Sequence, residues 1–137
     1  MHFLFDAQMP LRLARGLETL DQENEANREI KTKISHADIL LGAGAEDSQV
    51  IHKALEIDAI IFSEDSDFRK TKSNRALIKQ FKLGYVLFKP PTHGSRYWEK
   101  VLAVVLAWEK LKAMIKDIDK PFLLKIDRKG NIMQEPI

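Results

Sequence analysis

The chain has 137 residues, of which 45% are hydrophobic and 31% charged. This composition is ordinary for a soluble globular protein, and we expect residues 1–137 to form a single domain. It contains no cysteine, which excludes disulfides, thiolate zinc sites and cysteine nucleophiles, so its chemistry must use oxygen or imidazole groups. The net charge of +2 does not by itself indicate a nucleic-acid partner. No N-terminal targeting pattern is present, and the longest apolar run is too short to cross a bilayer, so we expect a cytoplasmic protein.

The first half of the chain alternates apolar runs typical of strands with patterns typical of helices. In chain order we predict a strand at 2–5, a helix at about 10–22, a weaker strand at about 32–40, a helix at 47–57 and a strand at 59–62. Leu20 and Leu55 are expected on the buried faces of the two helices. The turn Gly42-Ala43-Gly44 separates the weaker strand from the second helix.

The second half continues the alternation. We predict a short helix at about 73–81, a strand at 85–88 ended by Pro90-Pro91, a long helix at 97–115, and a closing hairpin of 122–126 with 132–133. Strands separated by helices imply right-handed crossovers and therefore a mainly parallel sheet. On the long helix, Leu102 and Leu106 lie off the main apolar stripe. They fit a homodimer or partner interface, and equally a wider buried face.

Carboxylates gather where two of the predicted strands end. The first strand ends on Asp6, and the strand at 59–62 leads into Ser63, Asp65 and Asp67. The carboxyl ends of parallel strands share one sheet edge, so Asp6 and Asp65 can meet. Alternate residues of an extended chain share a face, which places Ser63, Asp65 and Asp67 together and turns Glu64 away.

Asp47 begins a crossover helix and brings a fourth carboxylate to the same edge. Crowded carboxylates repel one another unless a cation or a proton neutralises them. Oxygen ligands without cysteine or paired histidines suit Mg²⁺ or Mn²⁺, which commonly bridge to substrate phosphates. The competing interpretation is that Asp47 and Asp67 are helix caps, because each precedes a helical pattern.

Three segments carry a family resemblance: Phe3 to Pro10, Gly44 to Asp47, and Ile60 to Phe68. Together they resemble the compact PIN-like nucleases, which include the toxins of VapC-type toxin-antitoxin pairs and small PIN-like domains of unassigned role. The resemblance implies a three-layer α/β fold with a mainly parallel central sheet, a long C-terminal helix and a closing hairpin. It also implies an endoribonuclease that requires Mg²⁺ or Mn²⁺ and is held by a cognate antitoxin.

The same resemblance assigns roles to individual residues. The catalytic, metal-binding carboxylates would be Asp6, Asp47, Asp65 and Asp67. Ser63 would support them, and Glu46 competes with Asp47 for the middle position. An RNA substrate also requires cations beside the acids, and those that follow or flank the site are Arg12, Arg15, Arg69, Lys70, Lys72 and Arg75. The alternative for these cations is a solvated surface.

Two other functions remain open from the sequence. A receiver-like phosphoacceptor domain also gathers carboxylates around Mg²⁺, but it requires paired acids after the first strand, where Asp6 stands alone. Lys89, after the fourth predicted strand, is the feature that fits a receiver. A catalytically silent PIN-like binding module is the other alternative, because Ala7 and Gln8 stand where compact members usually carry an acid and an asparagine.

Overall fold

The computed structural model describes residues 1–24, 31–64, 71–89 and 96–137. The elements in chain order are β1 His2–Phe5, α1 Leu11–Asn24, β2 Lys33–His36, α2 Ala37–Leu41, α3 Asp47–Glu56, β3 Ile60–Ser63, α4 Lys72–Gln80, β4 Gly84–Phe88, α5 Tyr97–Asp117, β5 Phe122–Ile126 and β6 Ile132–Glu135. None of the helices in these ranges combines the length and the apolarity that a membrane span requires.

The described strands form one six-stranded sheet in the order β2-β1-β3-β4-β5-β6. All neighbours from β2 to β5 pair in parallel, and β6 pairs with β5 in antiparallel orientation as a closing hairpin. The mainly parallel sheet, the long helix and the hairpin confirm the predicted fold class. The pairing that matters most for function is that of β1 with β3, in which Phe5 lies opposite Phe62.

Helices cover both faces of the sheet, so the domain has three layers. Alternating strand residues separate into two cores: Phe3, Phe5 and Phe62 face one side, while Leu4 and Ile61 face the other. The first core also contains residues of α1 and α5, and the second contains residues of α3 and α4. Because the central strands are buried on both faces, they read as continuous apolar runs in the sequence.

The predicted strand over 32–40 is wrong in its second half. β2 ends at His36 and the chain turns directly into the short helix α2. The His36 ring causes this change, because its Nδ1 accepts a hydrogen bond of 3.1 Å from the Asp38 amide and so caps the helix. The glycine turn that follows is confirmed, with φ of 83° at Gly42 and 79° at Gly44.

Some predicted burial on the helices is also wrong. Leu20 and Leu55 are 64% and 44% exposed rather than buried. On α5, Leu102 and Leu106 are 58% and 66% exposed, which excludes the wider buried face for this strip. The prediction that Pro90-Pro91 ends a strand falls outside the described residues.

Candidate active site at the carboxyl edge of the sheet

The order of the strands creates a crevice between β1 and β3. From β1 the chain crosses to β2 on one side, and β3 lies on the other side of β1. In open parallel sheets, ligands bind outside the carboxyl ends of the strands at such a reversal of strand order. Asp6 follows β1 directly and Ser63 is the last residue of β3, so both lie at this crevice.

Hydrogen bonds hold Asp6 in one orientation. Its Oδ2 accepts a hydrogen bond of 3.1 Å from the Ser63 hydroxyl, and its Oδ1 accepts one of 2.8 Å from the Ala7 amide. Its own amide donates to the Phe62 carbonyl at 2.9 Å, which extends the β1–β3 pairing by one residue. Asp6 is 7% exposed and Ser63 is 0% exposed. The ends of β1 and β3 therefore meet at this edge, and Ser63 donates to Asp6, while the predicted meeting of Asp6 with Asp65 lies outside the described residues.

The chain after Asp6 forms a tight turn that other elements hold in place. The Met9 amide donates to the Asp6 carbonyl at 2.9 Å, and Met9 itself is buried. The Met9 carbonyl lies 2.7 Å from His36 Nε2. Because Nδ1 of His36 already accepts from Asp38, the ring proton is on Nε2, which donates to Met9. The imidazole thus fastens the Asp6 turn to β2.

Asp47 does not cap its helix. Glu46 occupies the cap position of α3, where its amide donates to Oε1 of Gln49 at 2.8 Å, and its side chain is exposed. Asp47 is the first helical residue, and its Oδ2 accepts a hydrogen bond of 3.1 Å from Asn74 on α4. Asn74 is 6% exposed. Since α4 is the helix that follows β3, this bond joins Asp47 to the part of the chain that carries the other candidate acids.

Glu64, the residue after Ser63, is paired with helix α5. Its Oε2 lies 2.8 Å from the Lys100 ammonium on α5. The same ammonium donates to the Gln8 carbonyl at 3.3 Å, inside the Asp6 turn. Lys100 is 8% exposed, which is unusual for a lysine. No local sequence pattern marks Lys100, His36 or Asn74 as part of this site.

Four of the predicted site residues, Asp65, Asp67, Arg69 and Lys70, lie outside the described residues. In the part of the chain that the structure describes, no group of three or more histidine and acidic side chains is placed to hold a metal ion. The donors that the structure does bring to this edge are carboxylate and hydroxyl oxygens, which suit a hard cation such as Mg²⁺ or Mn²⁺. The chemistry of the donor set therefore fits the expected metal.

The predicted cations of the described segments are exposed. Arg12 and Arg15 lie on α1, and Lys72 and Arg75 lie on α4. Because α1, α3, α4 and α5 each begin a crossover from the carboxyl edge, their amino-terminal ends lie at the edge that carries Asp6. Helix amino termini carry partial positive charge, so this edge favours anions.

Comparison with known proteins assigns the family. No curated protein and no solved structure matches the chain significantly. A family model described as "PIN like domain" matches residues 1–90, which contain β1 to β4 together with Asp6, Asp47 and Ser63. The match covers well over half of the sequence, and the chain therefore belongs to the PIN-like domain family.

Proposed function

We propose that the protein is an endoribonuclease that requires Mg²⁺ or Mn²⁺, with Asp6, Asp47, Asp65 and Asp67 as the metal-binding carboxylates. The observation that carries this proposal is the Asp6 carboxylate, which lies nearly buried at the β1–β3 crevice with both oxygens oriented by hydrogen bonds. Carboxylates fixed in this way at the functional edge of a parallel sheet are suited to hold a cation.

The described side chains of the site have two different roles in this proposal. Asp6 and Asp47 would hold the cation, while Ser63 keeps Asp6 oriented and Asn74 does the same for Asp47. A bound divalent cation would supply Lewis-acid chemistry, neutralising the scissile phosphate and acidifying a water. This reaction needs no side-chain nucleophile, in agreement with the absence of cysteine.

An RNA substrate is supported by the charges around the edge. Lys72 and Arg75 are exposed on the first turns of α4, and Arg12 and Arg15 are exposed on α1. Both helices begin at the carboxyl edge, so these cations flank the crevice from two sides. Phosphate groups of a polyanionic strand would be attracted by these cations and by the helix amino termini.

We further propose that the protein is a toxin with a cognate antitoxin as its inhibiting partner. The alternative protein partner is a second copy of the chain in a homodimer. Exposed apolar side chains on α5 support a protein contact, since Trp98 is 69% exposed and follows the same helical strip as Leu102 and Leu106. Light scattering in solution distinguishes a dimer from the 15.8 kDa monomer. The antitoxin arrangement predicts a monomer whose RNA cleavage is blocked by a co-expressed protein. The same protein should not block cleavage by the Leu106→Lys variant, because the variant cannot associate with it.

Cleavage of total RNA tests the proposed enzyme. The expected result is cleavage with Mn²⁺ or Mg²⁺ and loss of cleavage after chelation. Metal-dependent RNA binding without cleavage would instead identify the silent binding module. Exposure to a small phosphodonor followed by mass measurement addresses the receiver-like alternative, since a receiver gains a phosphate and a PIN-like domain does not.

A further inference from the structure

Helix α5 carries two buried lysines, and each is paired with a carboxylate. Lys100 and Lys112 are 8% and 9% exposed. The Lys112 ammonium lies 2.7 Å from Asp21 on α1, and the Lys100 ammonium lies 2.8 Å from Glu64 after β3. Lysines are mostly exposed and are seldom buried unless they are paired, so both lysines need a structural or functional explanation. Lys112 fastens two helices of one layer to each other.

Lys100 joins two segments at the candidate site. Glu64 follows Ser63 directly, and Ser63 donates to Asp6. The second acceptor of Lys100 is the Gln8 carbonyl, in the turn that begins at Asp6. One ammonium group therefore links the chain that leaves β1 to the chain that leaves β3. An ammonium has three donors, so it can hold both acceptors at once.

We infer that Lys100 is a positioning residue for the Asp6 carboxylate. By binding the Gln8 carbonyl it fixes the turn that sets the direction of Asp6, and by binding Glu64 it fixes the end of β3 from which Ser63 donates. It also neutralises Glu64, so that this acid does not add its charge to the carboxylates of the crevice. This inference rests on the proposed nuclease function and extends it to a residue beyond the three resembling segments.

The second buried lysine provides a matched control. Lys100→Met and Lys112→Met each remove a buried ammonium from the same helix and leave a carboxylate behind, so both variants are expected to lose stability in urea unfolding. The Lys112 pair lies between α1 and α5, three helical turns from Lys100. Only Lys100→Met should loosen the Asp6 turn and slow RNA cleavage.

The experiment combines amide hydrogen exchange of the metal-free protein with RNA cleavage at saturating Mn²⁺. In Lys100→Met we expect exchange of the Ala7 and Met9 amides, which donate within the Asp6 turn, to accelerate about tenfold relative to the remaining chain. Cleavage should slow by about tenfold or more, because small displacements of a reacting geometry are costly. Lys112→Met should change neither quantity beyond its global stability effect.

Glu64→Gln supplies a second variant if Lys100→Met does not fold. It weakens the same link, so it should also slow cleavage relative to wild type and to Lys112→Met. Where Lys100→Met does fold, the double variant should be no slower than Lys100→Met alone. Equal cleavage and equal Ala7 and Met9 exchange in Lys100→Met and Lys112→Met would overturn the positioning role while leaving the nuclease proposal intact. A wild-type protein that cleaves no RNA with either metal would instead overturn the proposed function, and with it the role of Lys100 in catalysis.

Discussion

The Ser63 hydroxyl donates a hydrogen bond of 3.1 Å to Asp6 Oδ2 and so joins the end of β3 to the residue that follows β1. The bond follows from the sheet register, because Phe5 lies opposite Phe62 and the next residues of the two strands are Asp6 and Ser63. Ser63 is fully buried. Asp6 is therefore oriented before any ligand arrives.

We predict that Ser63→Ala weakens both the fold and the site. The substitution removes a buried donor to a carboxylate, which should lower the free energy of unfolding by about 1–2 kcal/mol. The rate of RNA cleavage should fall by about tenfold, because losing a side chain that orients a metal-binding carboxylate typically has an effect of this size. Urea unfolding and an RNA cleavage assay measure the two quantities. Thr19→Ala removes an exposed hydroxyl more than two helical turns from the start of α1 and is the control, and equal cleavage by the two variants would contradict the role of Ser63.

The bond between Asn74 and Asp47 leads to a prediction whose sign depends on metal. Asn74→Asp places a second carboxylate where an amide now donates at 3.1 Å, so in the presence of a chelator the free energy of unfolding should fall by about 1–4 kcal/mol. If Asp47 belongs to a metal site, added Mn²⁺ should reverse much of this loss. Thermal unfolding with chelator and with Mn²⁺ measures the effect. Asn74→Leu is the control, and equal rescue of the two variants by Mn²⁺ would count against Asp47.

The buried pair of Asp21 and Lys112 predicts a dependence of stability on pH. Burial raises the pKa of Asp21, but hydrogen bonds from Lys112 and Thr32 outweigh burial and hold this pKa below its usual value. The stabilisation is therefore complete above the unfolded pKa of about 3.9 and is lost as the pH falls through the folded pKa.

The variant that tests this dependence is Lys112→Met. At pH 7 it should be less stable than wild type by roughly 3–5 kcal/mol, because Asp21 is left buried without the ammonium. In the variant, burial without the ammonium raises the pKa of Asp21, so the difference should narrow as the pH falls through this raised pKa and should go on narrowing down to the lowered pKa of the wild type. Urea unfolding as a function of pH measures it, and a difference independent of pH would refute the assignment.

The exposed cations at the start of α4 predict a change in the salt dependence of RNA binding. Replacing Lys72 and Arg75 by glutamine should weaken binding and reduce the slope of log K against log salt by about 0.7 for each lost phosphate contact. Binding is measured in a chelator so that the RNA stays intact. Replacement of the exposed Lys110 and Lys116 on α5 removes the same charge elsewhere. If both pairs change the slope equally, α4 does not contact phosphates.

The convergence of the carboxyl ends of β1 and β3 could be predicted from the sequence for a physical reason. Continuous apolar runs mark buried parallel strands, and the handedness of the crossovers restricts how such strands are arranged. The acids at the strand ends then share an edge whatever the details of helix packing. The predicted convergence of the two strand ends occurs, and Ser63 donates to Asp6 across it, whereas the predicted meeting of Asp6 with Asp65 lies outside the described residues.

The residues that support the crevice could not be predicted in this way. Lys100 reaches Glu64 and Gln8 only because α5 packs on the α1 side of the sheet, and no local pattern around residue 100 records that contact. His36 was expected inside a strand at about 32–40, but it ends β2 and caps α2, and this role depends on a side-chain bond to the Asp38 amide. Hydrophobic periodicity indicates which residues are buried and on which face of a helix or strand they lie. A side-chain contact such as that of Lys100 with Glu64 depends in addition on the partner that tertiary packing brings near.

The most direct test of the account is RNA cleavage by wild type and Asp6→Asn at saturating Mn²⁺. Asparagine keeps the size of the side chain and removes the charge, so loss of activity would report the carboxylate itself. Asp117→Asn, exposed at the far end of α5, is the matched control. We predict that wild type and Asp117→Asn cleave RNA, that chelation abolishes this cleavage, and that Asp6→Asn is slower by at least about a hundredfold. Cleavage by Asp6→Asn at the wild-type rate, or cleavage that persists after exhaustive chelation, would contradict it.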